Sequence, residues 1–362
     1  MSFPSKEIAP RQTIRRKPVP SRFERRDIKT TSDHVSVDRL GKEALKVLAH
    51  VHLYPPVHNA GAEWMLHALL KYGLDNRGWD VQVLTDHLPA RSDSFQGIRV
   101  RHDRNISTVS IEYRFSNVII THLDMTRKAM EISGRQGRPL VHLVHNDMQL
   151  AFNRVTRKSC ALAVFNSQWL KDAVQWDGPS IIMHPPTRMA DYEIKLEGDK
   201  VTLINLSPAK GVDVFYDAVE RNPNINFLGV KGSYGEQVLP IRDFPNLEIW
   251  DNQPDIKEVY RQTKILLMPS HYESWGRVAV EAACSGIPTI CSPTPGLLEA
   301  GVGADYCDPL KARSWSSAIN RLMRSDAVWN QASEEAKARA IELDLISEQQ
   351  LLETAEHIES LA

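Results

Sequence analysis

Apolar and polar positions alternate along residues 45–53, where Leu45, Val47, Ala49, Val51 and Leu53 stand two apart before the run stops at Tyr54-Pro55-Pro56. A period of two predicts a β-strand, and the prolines close it. After a loop containing Gly61 the spacing changes. Ala62, Met65, Leu66, Leu69 and Leu70 fall at i, i+3, i+4, i+7 and i+8, the stripe of an amphipathic helix. Asn76-Arg77-Gly78 ends that helix, and residues 81–84 open a second strand. Strand, glycine-containing loop, helix and strand make a βαβ unit, which apolar runs at 118–121, 140–144 and 161–165 continue. The pattern predicts a parallel α/β domain over residues 44–188.

A second series follows His184-Pro185-Pro186 and the polar stretch 191–200, which together read as a crossing between domains. Strands are expected near residues 201–206, 226–230, 247–250, 265–268 and 289–291, with helices at 212–220, 255–263 and 278–284. These elements predict a second Rossmann-like α/β domain over residues 189–330. Residues 331–362 are helical in composition, and the amphipathic segment around Leu351, Leu352, Ala355 and Ile358 is expected to pack back toward the first domain.

Composition adds little to this and contradicts none of it. The 362 residues are 42% apolar and 25% charged, which suits about two globular domains. A formal net charge of -1 gives the chain no uniform attraction for nucleic acid or an anionic membrane. Residues 1–43 differ from the rest. Arg11, Arg15, Arg16, Lys17, Arg22, Arg25 and Arg26 stand there among prolines with almost no large apolar side chains, the composition of a basic flexible arm. Cys160, Cys284, Cys291 and Cys307 show no C-x-x-C spacing and read as reduced thiols. No apolar run approaches the roughly 18 residues of a membrane span, and the first residues lack the apolar stretch of a signal peptide. The expected location is the cytoplasm.

Candidate chemistry concentrates in residues 269–288. A strand is expected to end at Met268 and a helix to start after Ser274-Trp275-Gly276, which points backbone N–H groups out at the carboxyl edge of the sheet. Such a place binds phosphate. Glu273 and Glu281 are eight residues apart, roughly 12 Å along a helix. That leaves room for sugar hydroxyls at one carboxylate, a ribose at the other and a diphosphate between them.

Glu273 and Glu281, followed by Ala282-Ala283-Cys284-Ser285-Gly286-Ile287-Pro288 and by Pro295-Gly296-Leu297-Leu298-Glu299, resemble the donor-site signature of family 4 retaining glycosyltransferases of the GT-B fold. Three further segments resemble the same family in its order: Asn59-Ala60-Gly61-Ala62-Glu63 its glycine loop, Val144-His145-Asn146 its active-site histidine, and Leu206-Ser207-Pro208-Ala209-Lys210-Gly211 its phosphate-binding lysine. The resemblance spans about residues 45–310. It implies two Rossmann-like domains facing each other across a cleft, with the acceptor on the N-terminal one and the donor held mainly by the C-terminal one. It further implies Glu281 on the ribose, Glu273 beside the donor sugar and Lys210 on the diphosphate. The backbone of Ser274, Trp275 and Gly276 would cradle the distal phosphate, Gly61 would approach it closely, and His145 would face the reacting sugar. One position departs from the pattern. The family's usual arginine five residues before the lysine is here Asn205, and Arg277 or Lys231 is the alternative source of that charge.

The implied reaction moves a hexosyl or pentosyl group from a UDP-, GDP- or ADP-linked sugar to an acceptor hydroxyl with retention, the leaving phosphate assisting removal of the proton. No D-x-D pair is present, and neither a metal nor another cofactor is expected. A small-molecule acceptor is the default, while the basic arm leaves open DNA, through a hydroxymethylated base, or a lipid phosphate. Two other functions fit the same residues: a nucleotide-sugar epimerase on this fold, or a catalytically idle sugar-nucleotide-binding protein.

Overall fold

The computed structural model describes residues 43–87, 89–147, 160–233 and 235–362; apart from Glu43, the arm expected over residues 1–43 lies outside them. The first strand, β1 (Lys46–Val51), buries every residue after Lys46. It can do so because helices cover both faces of its sheet, as parallel strands require. The sheet also holds β2 (Asp80–Thr85), β3 (Arg91–Phe95), β4 (Ile98–His102), β5 (Val118–His122), β6 (Leu140–Val144), β7 (Leu162–Phe165) and β8 (Ser180–Ile182), in the order β3-β4-β2-β1-β5-β6-β7-β8. Only the β3–β4 hairpin is antiparallel.

Helices α1 (Gly61–Arg77), α2 (Ile106–Phe115), α3 (Thr126–Gln136) and α4 (Gln168–Ala173) belong to this half. Val47, Ala49 and Val51 meet Met65, Leu66 and Leu69 of α1 on one face. On the other face Leu48, Ile119 and Leu140 meet Val109, Tyr113 and Met130. The helix stop read at Gly78 is a left-handed cap whose N–H bonds back to Gly73 O.

After α5 (Met189–Tyr192) comes a wholly parallel sheet of β9 (Lys200–Ile204), β10 (Phe227–Val230), β11 (Leu247–Trp250), β12 (Thr263–Met268), β13 (Thr289–Cys291) and β14 (Gly303–Tyr306). Its order is β11-β10-β9-β12-β13-β14. Its helices are α6 (Val212–Arg221), α7 (Lys257–Gln262), α8 (Arg277–Cys284), α9 (Pro295–Ala300) and α10 (Ala312–Met323). Strand order reverses between β9 and β12, as it does between β1 and β5 in the first sheet. Ligand crevices of α/β sheets open beyond the strand ends at such switch points.

The last helix, α11 (Asp326–Glu359), joins the two halves. Ala336, Ala340 and Leu343 sit in the core of the second, and Leu351, Ala355 and Ile358 in the core of the first. Near its end Glu359 accepts hydrogen bonds from Arg77 Nε at 2.9 Å, Arg77 Nη2 at 2.6 Å and Trp79 Nε1 at 2.9 Å.

The sequence pattern omits the β3–β4 hairpin, since β3 (RSDSF) is exposed and polar, and it omits β8 and β14, which are too short to show a period. The strand expected over 201–206 ends at Ile204, where Asn205 takes a φ of 74°. Among the described residues no helix is long and apolar enough to cross a membrane, and all four cysteines are free.

Ile358 is fully buried, so Ile358→Ala removes packing where α11 closes the first core. The expected cost is about 2–5 kcal/mol, read in urea unfolding as a lower midpoint at unchanged slope.

Candidate active site

The site begins where two loops of the second sheet touch. Past β9 the chain turns through Pro208–Lys210, and past β12 it runs from Pro269 to Gly276 before entering α8. His271 N donates to Ala209 O at 3.1 Å. Gly211, with a φ of 71°, comes so close that a Cβ would lie 2.2 Å from Pro269 O. Only glycine meets both demands. The result is an ion pair above the switch point, with Lys210 Nζ 2.5 Å from Glu273 Oε1, an oxygen that also accepts from Ser270 Oγ at 2.8 Å.

Gly276 forms the N-cap of α8 with a φ of 90°, and a Cβ there would meet Leu297 Cδ2 at 2.4 Å. One turn into α8, Arg277 Nε and Glu281 Oε1 are 2.7 Å apart. The contact is close but not aligned as a hydrogen bond, and Arg277 Nη1 is also buried without a hydrogen-bond partner. Arg277 Nη2 donates to Tyr192 OH at 2.8 Å, and Tyr260 OH donates to Glu281 Oε2 at 2.7 Å. Burial opposes the charge on Arg277, but Glu281 and Tyr192 outweigh it and raise its pKa.

A cavity of about 500 Å³ separates these loops from the first sheet. One wall is Glu273, Ser274, Trp275, Gly276 and Arg277. The facing wall comes from the strand ends and the start of α1: His52 and His58 after β1, Gly61 and Glu63 on α1, His122 and Asp124 at the end of β5, His145 and Asn146 after β6. The halves are pinned around it. Asn166 Nδ2 donates to Ser274 Oγ at 2.7 Å and Trp169 Nε1 to Ser274 O at 2.8 Å. Glu299 accepts from Gln168 N at 2.7 Å, Trp169 N at 2.9 Å and His184 Nε2 at 3.1 Å, and the His184 ring stacks on Trp275 at 3.9 Å.

Of the residues singled out in the sequence, Gly61, His145, Glu273, Ser274, Trp275, Gly276 and Arg277 line this single cavity. Lys210 reaches it through Glu273. Glu281 stands one turn behind Arg277, outside the lining, with Arg277 and Tyr260 on its two oxygens. Lys231 also lies outside it, 2.8 Å from Asp251 Oδ1. Asn205 accepts from Gln237 Nε2 at 2.9 Å and packs over Gly232, where a Cβ would come within 2.4 Å of Asn205 Cγ.

Two pairs in the facing wall escape sequence reasoning. His58 Nδ1 lies 3.2 Å from the nearly buried Glu63 Oε1. Burial pushes Glu63 up, but the bond to His58 and the nearness of His122 prevail and lower it, while that same bond raises His58. His122 Nδ1 and His145 Nε2 share a buried hydrogen bond of 3.2 Å. Burial lowers both histidines, His145 strongly and with help from His122 and His142. The available signal for Glu63 is its place two residues after Gly61, yet an acidic residue in a first helical turn is ordinary. Among the described residues no group of three or more His, Cys, Asp or Glu stands ready to hold a metal ion.

This architecture, two facing parallel α/β sheets with a crevice at their carboxyl edges, is the GT-B fold. It aligns with sucrose-phosphate synthase from Thermosynechococcus elongatus at a TM-score of 0.69 and 14% identity, over 87% of this chain and 99% of that one. HepE of Anabaena, solved with UDP-glucose, aligns at a TM-score of 0.68 and 17% identity, over 86% and 99% of the two chains. Residues 197–339 match the model of the family described as glycosyl transferases group 1. In sequence, D-inositol 3-phosphate glycosyltransferase of Mycobacteroides abscessus is 29% identical over 168 residues, 41% of this chain. The chain spans only 38% of that relative's length, and 29% of the corresponding protein of Mycobacterium marinum.

The buried histidines set an acid limit to stability. His50, whose Nδ1 lies 2.6 Å from Tyr113 OH, is pushed down to about 3 by burial and then by Lys128, and His122 and His145 are lowered as well. For each of these the unfolded chain binds a proton below the ordinary value of 6.5 that the native state refuses, so stability falls with pH from there. His58, being raised, works the other way and loses its contribution as pH climbs through its native value. Four lowered histidines, the buried His67 being the fourth, against one raised predict a net loss on acidification. His50 alone costs about 2 kcal/mol at pH 5. Urea unfolding at pH 7 and pH 5 is expected to show the drop, and His50→Gln to flatten it.

Proposed function

We propose that this chain is a retaining glycosyltransferase that moves a sugar from a nucleoside diphosphate sugar, UDP-linked as in the HepE complexes, to an acceptor hydroxyl. The observation that carries the reading is the Lys210–Glu273 pair beside the start of α8. A cation and a helix start converging at a switch point offer a diphosphate its charge partner and its N–H donors. Lys210 exchanges Glu273 for a phosphate oxygen, and Glu273 turns to the sugar hydroxyls. Glu281, held by Tyr260 and Arg277, receives the ribose. An ionised carboxylate has about four acceptor sites, so Glu281 keeps capacity for two ribose hydroxyls. With Asn205 where an arginine is usual, Arg277 is the second cation, because its Nη1 is buried and unpartnered whereas Lys231 is engaged by Asp251.

The reaction then needs no enzymic nucleophile. As the anomeric carbon gains oxocarbenium character, the departing phosphate oxygen takes the proton of the acceptor hydroxyl on the same face. Lys210, Arg277 and the N–H groups at the start of α8 stabilise the charge that develops, so electrostatic preorganisation and positioning supply the rate. His145, neutral through burial, exchanges hydrogen bonds with the sugar without ionising. The 500 Å³ cavity limits the water that would otherwise hydrolyse the donor.

Titration calorimetry with UDP and UDP-glucose is expected to give binding that excess chelator leaves unchanged. Activity that vanishes with chelator and returns with Mn²⁺ would overturn the metal-free site. Lys210→Ala is expected to lower kcat on the order of a hundredfold, whereas Glu281→Gln chiefly raises the donor KM. Equal, small effects from both would remove the site from this place. Donor incubated alone distinguishes the epimerase, which yields a new sugar stereoisomer without acceptor.

A further inference from the structure

The cavity walls differ in what their unsatisfied polar atoms want. On the wall built by the second sheet, the buried atoms without a hydrogen-bond partner are donors, Trp275 Nε1 and Arg277 Nη1. On the facing wall His58 Nδ1 is turned to Glu63 Oε1 at 3.2 Å, and the others are acceptors, Glu63 Oε2 and Asn146 Oδ1. A buried polar atom left unmatched is costly, so each wall is matched by a ligand of opposite hydrogen-bonding character. The donor wall suits phosphate oxygens, in accord with the reading above. The acceptor wall suits hydroxyl groups, which give up a hydrogen.

Charge points the same way. Among the described residues lining the facing wall there is no lysine or arginine, while Glu63 and Asp124 bring carboxylates. His58, the group there with a raised pKa, is taken up by Glu63 at 3.2 Å. His122 and His145 stay neutral and bond to each other at 3.2 Å. A phosphate brought to this wall would meet lone pairs and negative charge where it needs N–H donors.

Resting on the transferase reading, we propose that the facing wall is an acceptor subsite for a neutral polyhydroxylated molecule, a sugar or cyclic polyol free of phosphate beside its reacting hydroxyl, and that Glu63 determines this specificity. Glu63 Oε1 is fixed by His58, which leaves Oε2 to take a hydroxyl hydrogen. The inference separates this chain from the relatives named for inositol 3-phosphate, whose acceptor carries the group that Glu63 and Asp124 turn away.

The test titrates wild-type protein first with UDP and UDP-glucose, then, loaded with UDP, with myo-inositol, inositol 3-phosphate, glucose and glucose 6-phosphate. The expected result is that each neutral polyol binds at least tenfold more tightly than its phosphate. Glu63→Gln, similar in shape and without charge, is expected to narrow that ratio at least tenfold, and Asp124→Asn, at an exposed position, to narrow it in the same direction should the buried variant fold poorly. Preference for the phosphates, an unchanged ratio in both variants, or no polyol binding to the UDP-loaded protein overturns the proposal. So does a tenfold loss of UDP-glucose relative to UDP affinity in Glu63→Gln, which would put Glu63 on the donor sugar. Failure of the transferase reading shows earlier and separately, as absent UDP and UDP-glucose binding in the first titration.

Discussion

The carboxylate of Glu299 ties the two sheets to one cleft. It belongs to α9 of the second half, yet two of its three donors are backbone N–H groups at the start of α4 in the first half, and the third is His184 in the connection between them. Burial works against its ionisation, but His184 and the two N–H groups more than offset this and lower its pKa. Hydrogen bonds to a charged acceptor contribute about 1.5–3 kcal/mol each, enough to make the docking directional. Everything nearby inherits that geometry. Trp169, whose N–H is one of the donors, sends its indole Nε1 to Ser274 O, and His184 lies flat on Trp275. The loop that carries Glu273 is thereby fixed relative to α4 as well as to its own sheet.

Within the second half, charges are stored against one another. Lys210 rests on Glu273 and Arg277 on Glu281, so neither cation stands in an apolar cleft uncompensated. Such pairs hold long side chains in place, which would lower the ordering cost of the diphosphate proposed above. They also account for the tolerance of Asn205. Its positive φ suits asparagine better than most side chains, and its amide fills the space over Gly232. An arginine there would need both a different backbone and a different neighbour.

Much of this was legible in the chain because parallel strands covered on both faces leave dense apolar runs, and because a helix that starts against a sheet edge needs glycine at its turn. Residues 118–121 and 140–144 fall within β5 and β6 for the first reason, and Gly276 introduces α8 for the second. The hairpin of β3 and β4 was hidden since its outer strand is solvated. The second wall was hidden for another reason. His58, His122 and Glu63 carry no spacing rule, because their partners stand on separate strands, and a single histidine or a helix-start glutamate looks alike whether it faces a ligand or a core. The motif containing Gly61 marked the place where Glu63 would be, without marking what it would do.

The chemistry of the facing wall depends on two rings sharing one hydrogen bond. With both imidazoles neutral, either His122 Nδ1 or His145 Nε2 is the donor, and that choice fixes the tautomer of the other ring. Glu63 acts on this choice through charge, since its carboxylate favours protonation of His122 while burial opposes it. Burial prevails, so these two rings stay neutral, while His58 is the ring on this wall that Glu63 holds toward its protonated form. A wall of this kind has no need of a general base. In the transfer proposed above, the departing phosphate oxygen takes the acceptor proton, and the donor wall, with Arg277 and the start of α8, would hold that oxygen.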